Sequence, residues 1–303
     1  MNQEPWTILR LLNWTADYFH KKGIENSRLE TEVLLAHLLR LKRIDLYTHF
    51  DRALEATELA AFKALIQERL SGRPTSYIVG HKEFMSLDFL VNEHVLIPRP
   101  ETETLVETAV EILGSIVESE AGGVVVTDLC TGCGCVACSI ATYAPGAKVF
   151  AVDSSPEALE VAKKNVERLG LREQVSLLLG DLFEPLEGKL PRLADMIVSN
   201  PPYISEKDFL ELDPGIRNFE PREALLAGPT GTEVHEKIAR QALKFLSPGG
   251  HLLMEVGSAQ FESVKTMLQT SGSYSDILAA KDFSGIDRVV IARGERKWRS
   301  TVS

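Results

Sequence analysis

Val124-Val125-Val126-Thr127-Asp128-Leu129-Cys130-Thr131-Gly132-Cys133-Gly134 is an apolar run that empties into a polar, glycine-bearing loop. Its β-branched opening has the composition of a buried strand. Gly132 and Gly134 then let the backbone turn sharply and let a ligand approach main-chain atoms. A Gly-x-Gly pair alone specifies little. Asp153 adds to it, because a second apolar run over 148–152 delivers that carboxylate about twenty residues after the glycines, where it can accept hydrogen bonds from both hydroxyls of a ribose. Together they point to an adenosine-containing cofactor.

Outward from this stretch the pattern alternates. Strands are expected at 124–129, 148–152, 175–179, 196–199, 251–256, 275–280 and 288–292, with helices near 136–144, 156–169, 232–246 and 258–270. Such alternation predicts βαβ units and an α/β, doubly wound, Rossmann-like sheet that is largely parallel. Ligands of such sheets bind at the carboxyl ends of the strands. The loop after Leu129, Asp153 and Asn200 all fall there.

The fourth run, Met196-Ile197-Val198-Ser199, leads into Asn200-Pro201-Pro202-Tyr203. Neither proline has an N–H for the ladder, so the chain must leave the sheet at Asn200 in a stiff, extended turn. The turn presents the Asn200 side-chain oxygen and the Pro201 carbonyl as neighbouring acceptors, with Tyr203 as a flat face beside them. That arrangement suits a planar –NH2 group, whose two N–H bonds both need partners once it leaves water. A proline-rich loop with a capping Asn is the plainer alternative.

Two cofactors compete. Gly132-Cys133-Gly134-Cys135-Val136-Ala137 can be written as the dinucleotide fingerprint, which would make the chain a nicotinamide dehydrogenase. Against this, Asp128 and Thr131 form a polar lead-in suited to a small charged cofactor such as S-adenosylmethionine, and Asp181 after the third strand is placed for an adenine amino group. The dinucleotide reading leaves the Asn200 turn unexplained.

The chain has 303 residues, 44% hydrophobic and 25% charged, enough for two domains with a sizeable core. Residues 1–75 are expected to form a helical domain, with Ser27 and Thr57 as caps and Gly23 and Gly72 as stops. Residues 76–97, with Tyr77-Ile78-Val79 and Phe84–Val91 as strand-like runs, are expected to be a β-hairpin linker. Residues 98–303, opening on a helix to about Val117, are expected to be the cofactor-binding domain. A net charge of −10 argues against a nucleic-acid duplex as partner. The first residues, Met1-Asn2-Gln3-Glu4-Pro5-Trp6, have no signal-peptide pattern, and no run is long enough to cross a bilayer. All four cysteines fall between Cys130 and Cys138, which fits a reducing compartment, hence the cytoplasm. Two run-together Cys-x-x-Cys pairs resemble metal knuckles, but a structural zinc site draws its knuckles from separate segments. The thiols are read as packing residues, and no metal is expected. A non-catalytic protein with a metal- or redox-sensing cysteine cluster stays as the rival outside the enzymes.

Ile97-Pro98-Arg99-Pro100-Glu101-Thr102-Glu103, Asp128–Cys135, Ala151-Val152-Asp153, Ser199–Ile204, Pro221-Arg222-Glu223-Ala224-Leu225 and Asp287-Arg288-Val289 together resemble the peptide chain release factor glutamine methyltransferases (the PrmC or HemK family). The resemblance runs over nearly the whole chain. It departs at Cys133, where the family pattern has Ser or Thr. It implies a class I methyltransferase domain that uses S-adenosylmethionine, and as substrate the glutamine of the Gly-Gly-Gln motif in class-1 release factors. It assigns Asn200, Pro201 and Tyr203 to catalysis, and Asn200, Pro201, Pro202 and Tyr203 to the substrate. For the cofactor it assigns Cys130, Thr131, Gly132, Cys133, Gly134, Asp153, Asp181, Leu182 and Asn200. Arg99 and Glu101 would line the mouth of the site, or form an ordinary helix-start ion pair. The helical domain would recognise the protein substrate, and a monomer is expected. An amino methyltransferase acting on adenine or guanine in nucleic acid is the alternative, since that chemistry uses a similar turn.

Overall fold

Apolar residues at intervals of three and four wind the N-terminal stretch into helices α1 (Ile8–Lys21), α2 (Ser27–Leu39), α3 (Asp45–Thr48), α4 (Ala56–Leu70) and α5 (Thr75–Val79). The computed structural model describes residues 5–117 and 123–295. The chain divides into two units, Met1–His81 with Pro214–Phe219, and Lys82–Asp213 with Glu220–Ser303. In the first unit Ile8, Leu12, Phe19, Leu34, Leu35, Leu46 and Phe62 are fully buried against one another. Gly23 (φ +78°) and Gly72 (φ +98°) take the left-handed conformation just past α1 and α4, the usual glycine stop.

Three local expectations are corrected here. Asn26, not Ser27, is the residue before α2, and Ser27 instead donates its hydroxyl to the Ile24 carbonyl. Thr57 lies inside α4, whose start is held by Glu55 and Glu58 in a reciprocal box. Tyr77-Ile78-Val79 is helical. A short apolar run does not distinguish strand from helix, and here Pro74 sets up the turn and Gly80 (φ +80°) ends it.

A hairpin follows, β1 (His81–Phe84) and β2 (Leu87–Leu90). Its two-residue turn, Met85-Ser86, has φ of +50° and +55°, the mirror-image turn that matches strand twist and usually recruits Asn or Gly. Helix α6 (Pro100–Val117) starts on proline, whose missing N–H costs nothing at that position. Then β3 (Val124–Leu129), α7 (Cys135–Tyr143), β4 (Ala147–Asp153), α8 (Pro156–Arg168), β5 (Val175–Leu179) and β6 (Ala194–Ser199) alternate as expected. Beyond Asn200, β7 (Ile204–Ser205) pairs in parallel with β8 (Leu226–Gly228), and the short helices α9 (Glu206–Glu211), α10 (Pro214–Arg217) and α11 (Arg222–Leu225) lie between them in sequence. These pieces are too short to carry a period. Helix α12 (Glu233–Ala242), β9 (Leu246–Glu255), α13 (Phe261–Ser271), β10 (Tyr274–Lys281) and β11 (Asp287–Gly294) complete the described chain.

The seven-stranded sheet runs β10-β11-β9-β6-β3-β4-β5. It is parallel from β9 to β5, and β11 pairs antiparallel with both β9 and β10. From β3 the chain builds outward through β4 and β5 on one side, and later through β6 and β9 on the other. The switch point therefore lies between the carboxyl ends of β3 and β6, where a doubly wound sheet opens a crevice. There Ser199 donates its hydroxyl to the Leu129 carbonyl at 2.8 Å.

Asn165 on α8 is fully buried and joins the hairpin to the loop after β3. Its Oδ1 accepts from Leu90 N (2.8 Å), and its Nδ2 donates to the carbonyls of Leu90 (3.0 Å) and Cys133 (2.9 Å). Unpaired buried groups cost about 1–3 kcal/mol each. Asn165→Ala is expected to lower stability by roughly 2–4 kcal/mol in urea unfolding. A loss below about 0.5 kcal/mol would show that the clamp carries no such weight.

Candidate active site

The carboxyl ends of β3, β4, β5 and β6 open on one cavity of about 510 Å³. Its floor is the loop Cys130-Thr131-Gly132-Cys133 with the start of α7. One wall is Asp153 to Ser155, and another is Gly180-Asp181-Leu182. The rim brings His94 to Leu96, Pro98 and Arg99 opposite Pro221, Glu223 and Ala224, with Asn200 and Pro202 between.

The loop is held by its neighbours. Gly132 N donates to Asp153 Oδ2 (2.8 Å), Ser155 N donates to Oδ1 (2.9 Å), and Thr131 N donates to the Val152 carbonyl (3.0 Å). Cys130 (φ +59°) and Leu182 (φ +47°) are non-glycine residues in left-handed backbone, a conformation that costs about 1–3 kcal/mol and clusters at functional sites. Gly132 (φ +56°) has open space where a Cβ would stand, which keeps the main chain approachable there. Ser154 N also acts on this carboxylate, and since a carboxylate offers about four acceptor positions, Asp153 keeps acceptor capacity for a hydroxyl beside its backbone bonds. The residues present therefore fit an adenosine moiety.

Asn200 is half-buried, and its Nδ2 donates to the Thr102 hydroxyl at 3.1 Å. The amide oxygen is thereby the end turned away from Thr102. Tyr203 gives its hydroxyl to Glu255 Oε1 (3.3 Å), and Gln260 Nε2 donates to the Tyr203 carbonyl (2.8 Å). Burial pushes the Glu255 carboxyl up to about 7 despite the Thr102 and Tyr203 hydroxyls and Arg288. Burial likewise raises Asp128 to about 7 and raises Asp153. The Cys130 thiol is pushed far above its ordinary value, by burial first and then by Asp153, which makes it a poor nucleophile.

Known proteins are similar to this chain over most of its length. The family model described as PrmC N-terminal domain matches residues 10–80, and that described as Methyltransferase small domain matches 103–212. A release factor glutamine methyltransferase of Rhodopirellula baltica is 43% identical over 95% of this chain and 97% of its own. The chain belongs to the release factor glutamine methyltransferase family. A second relative of that name, from Geobacter sulfurreducens, is 43% identical over 97% of this chain and 99% of its own. Among solved structures, the hMettl16 catalytic domain in complex with MAT2A 3'UTR hairpin 6 aligns with a TM-score of 0.52 at 15% identity, covering 80% of this chain and 82% of that one. That likeness concerns the fold alone. As in its family, this chain is a methyltransferase whose methyl donor is S-adenosylmethionine.

Of the residues singled out from the sequence of this methyltransferase, Cys130, Thr131, Gly132, Cys133, Asp153, Asp181, Leu182, Asn200 and Pro202 line the cavity together. Gly134, Pro201 and Tyr203 stand outside its lining. Gly134 lies where a Cβ would meet Ala162 Cβ at 3.3 Å, a packing position between α7 and α8. Asp128 does not face the cavity either. It accepts the Thr131 hydroxyl at 2.6 Å and braces the loop from below. Arg99 lines the rim but pairs with buried Glu220, not with Glu101. Thr102, Asn165, Glu220, Glu255 and Gln260 were not visible as site residues. Glu255 alone carried a signal, an acid ending an apolar strand beside the Asn200 strand. Among the described residues no group of three or more His, Cys, Asp or Glu could hold a metal ion. The four cysteines are free, and no described helix is long and apolar enough to cross a membrane.

The raised Glu255 value has a consequence for stability. The folded chain keeps this proton up to about pH 7, whereas an unfolded glutamate, with its ordinary value of 4.5, has already lost it. Between those values the folded state binds more protons, so stability falls as pH rises, by up to about 1.4 kcal/mol per unit. Glu255→Gln removes this contribution. Urea unfolding across that window is expected to show a shallower pH slope in the variant; an unchanged slope would contradict the burial argument.

Proposed function

We propose that this chain transfers the methyl group of S-adenosylmethionine to the side-chain amide nitrogen of the glutamine in the Gly-Gly-Gln motif of class-1 release factors. The single observation that carries the reading is that Asn200 and Pro202, at the exit of β6, line the same cavity as Asp153 and the Cys130–Cys133 loop. The Asn200 side chain and an adenosine site share one space. The cofactor, when bound, supplies an electrophilic methyl on a positively charged sulfur.

The residues of the chain do the rest. Asp153 accepts the ribose hydroxyls, and Asp181 with Leu182 holds the adenine. Thr131, Gly132 and Cys133 carry the remainder of the cofactor, with Gly134 giving the loop its turn into α7. Cys133 leaves the hydrogen bonding to the backbone, because a thiol is a weak donor. The Asn200 amide oxygen and the Pro201 carbonyl accept the two N–H bonds of the glutamine, while Pro202 and the Tyr203 ring flank its plane. An amide nitrogen is a poor nucleophile because its lone pair is shared with the carbonyl. Fixing it in line for attack supplies much of the rate, as orientation is worth up to several powers of ten. The nitrogen becomes strongly acidic once methylated, so it sheds its proton without a strong base.

The helical unit is assigned to recognition of the protein substrate. The net charge of −10 and the names of the full-length relatives favour a release factor over nucleic acid. We further assign a monomer working in the cytoplasm, in keeping with four free thiols.

Mass spectrometry of a purified class-1 release factor after incubation with this protein and S-adenosylmethionine tests the reading. The expected result is one added methyl group on the Gly-Gly-Gln glutamine, lost with Asn200→Ala. Label on ribosomal RNA or DNA instead would overturn the substrate. Asp153→Ala is expected to weaken cofactor binding in calorimetry by roughly ten- to a hundredfold, the equivalent of one or two charge-assisted hydrogen bonds. Unchanged affinity would remove Asp153 from the ribose.

A further inference from the structure

An amide side chain donates at one end and accepts at the other, and which end faces a substrate is decided by its hydrogen-bond network. Asn200 Nδ2 donates to Thr102 Oγ1 at 3.1 Å. A hydroxyl that accepts this bond still has its own hydrogen to place. The Thr102 hydroxyl stands beside the Glu255 carboxyl and draws its pKa down. Glu255 is 1% exposed, and its Oε2 meets no donor in hydrogen-bonding geometry, while Oε1 takes the Tyr203 hydroxyl. A buried acceptor short of a partner lies next to a hydroxyl with a hydrogen to give.

An ionised carboxylate only accepts. It therefore sets the direction of the whole chain, with Asn200 donating to Thr102 and Thr102 turned to donate to Glu255. We propose that Thr102 and Glu255 are positioning residues that hold the Asn200 amide with its oxygen toward the substrate glutamine. The proposal rests on the reaction assigned above and adds what polarises its acceptor. A protonated Glu255 can donate to Thr102, which then donates to Asn200. The chain reverses, Asn200 presents its own –NH2, and two donor groups oppose each other.

The surroundings place that reversal within reach of neutral pH. Burial, and Glu101 of α6, favour the protonated acid, while Thr102 of α6, Arg288 of β11 and the Tyr203 hydroxyl favour the carboxylate. From α12, His235 gives its Nε2–H to the Glu255 backbone carbonyl at 2.7 Å, which leaves the carboxyl untouched. Burial holds the His235 imidazole neutral by lowering its pKa. The balance stands at about 7.

The test is steady-state methylation of an intact release factor by the unaltered protein, Glu255→Gln, Thr102→Val and Thr102→Ser, between about pH 6 and 9. In the unaltered protein kcat is expected to rise through about pH 7 to a plateau. Glu255→Gln is expected to lose that limb and to fall roughly ten- to a hundredfold in kcat, the range for a misplaced reacting group, with cofactor affinity kept. Thr102→Val falls alike, and Thr102→Ser recovers most of the rate. A Glu255→Gln enzyme with the original kcat and pH limb overturns the proposal, as does a Thr102→Ser enzyme no better than Thr102→Val. Absence of glutamine methylation by the unaltered protein defeats the assigned reaction, and the proposal with it; the variant outcomes defeat the proposal alone.

Discussion

Strand β6 ends because Pro201 and Pro202 have no N–H to give its neighbours, and it ends beside the close of β3 at the switch point of the sheet. The exit is braced from outside. Gln260 Nε2 donates to the carbonyls of Tyr203 (2.8 Å) and Gly231 (3.1 Å), and its Oε1 accepts from Gly257 N (2.9 Å). Gly231 (φ +85°) comes so near that a Cβ there would stand 2.7 Å from the Tyr203 carbonyl. Two prolines, a glutamine clamp and a glycine contact therefore leave the Asn200 side chain little choice but to face the crevice. A site on such supported backbone holds its geometry to the tolerance that positioning demands.

The same crevice is electrostatically one-sided. Asp128, Asp153 and Asp181 all push the Cys130 thiol upward, so the loop lies in a field of negative charge from the ends of three neighbouring strands. Desolvation of these acids is unfavourable in isolation, as the raised values of Asp128 and Asp153 record. A ligand carrying positive charge reverses that balance. S-adenosylmethionine carries its charge on the sulfur that holds the methyl, whereas a nicotinamide dinucleotide brings two phosphates that Asp153 and Asp181, the two of these acids lining the cavity, would repel. Charge separates the two cofactors where the glycine spacing did not.

The fold was legible because its signals are long. Apolar runs such as 124–129 and 196–199 are buried along their length, and runs of that kind alternating with helical periods admit few architectures. Short pieces were not legible. Tyr77-Ile78-Val79 is as apolar as a strand and folds as a helix because Pro74 and Gly80 bracket it, and Met85-Ser86 adopts a turn that neither residue announces. In the site, residues defined by backbone chemistry could be read, among them Asn200 before two prolines and Asp153 at a strand end. Thr102 and Gln260 could not, because their roles depend on a partner about a hundred or about sixty residues away, which no local pattern reveals. Asp128 misled in the opposite sense. Its place beside the glycines is a ligand's place in sequence, but the alternation of the strand turns it inward to Thr131.

The proposed chemistry asks little of the protein beyond arrangement, and the arrangement also sorts substrate from product. A glutamine entering the turn offers two N–H bonds to two acceptors, the Asn200 oxygen and the Pro201 carbonyl. A side chain with fewer donors would leave one acceptor buried and unpaired, at about 1–3 kcal/mol, so selection arises from what is missing as much as from what is bound. After transfer and proton loss the nitrogen keeps one N–H. The methylated glutamine is then itself a substrate with too few donors, and the penalty that excludes other side chains now favours its departure and opposes a second transfer. A polarised Asn200 sharpens both effects, because an amide free to rotate could offer its –NH2 to whatever group lacks a donor. Fixing the oxygen toward the cavity makes one acceptor set serve recognition, orientation and release.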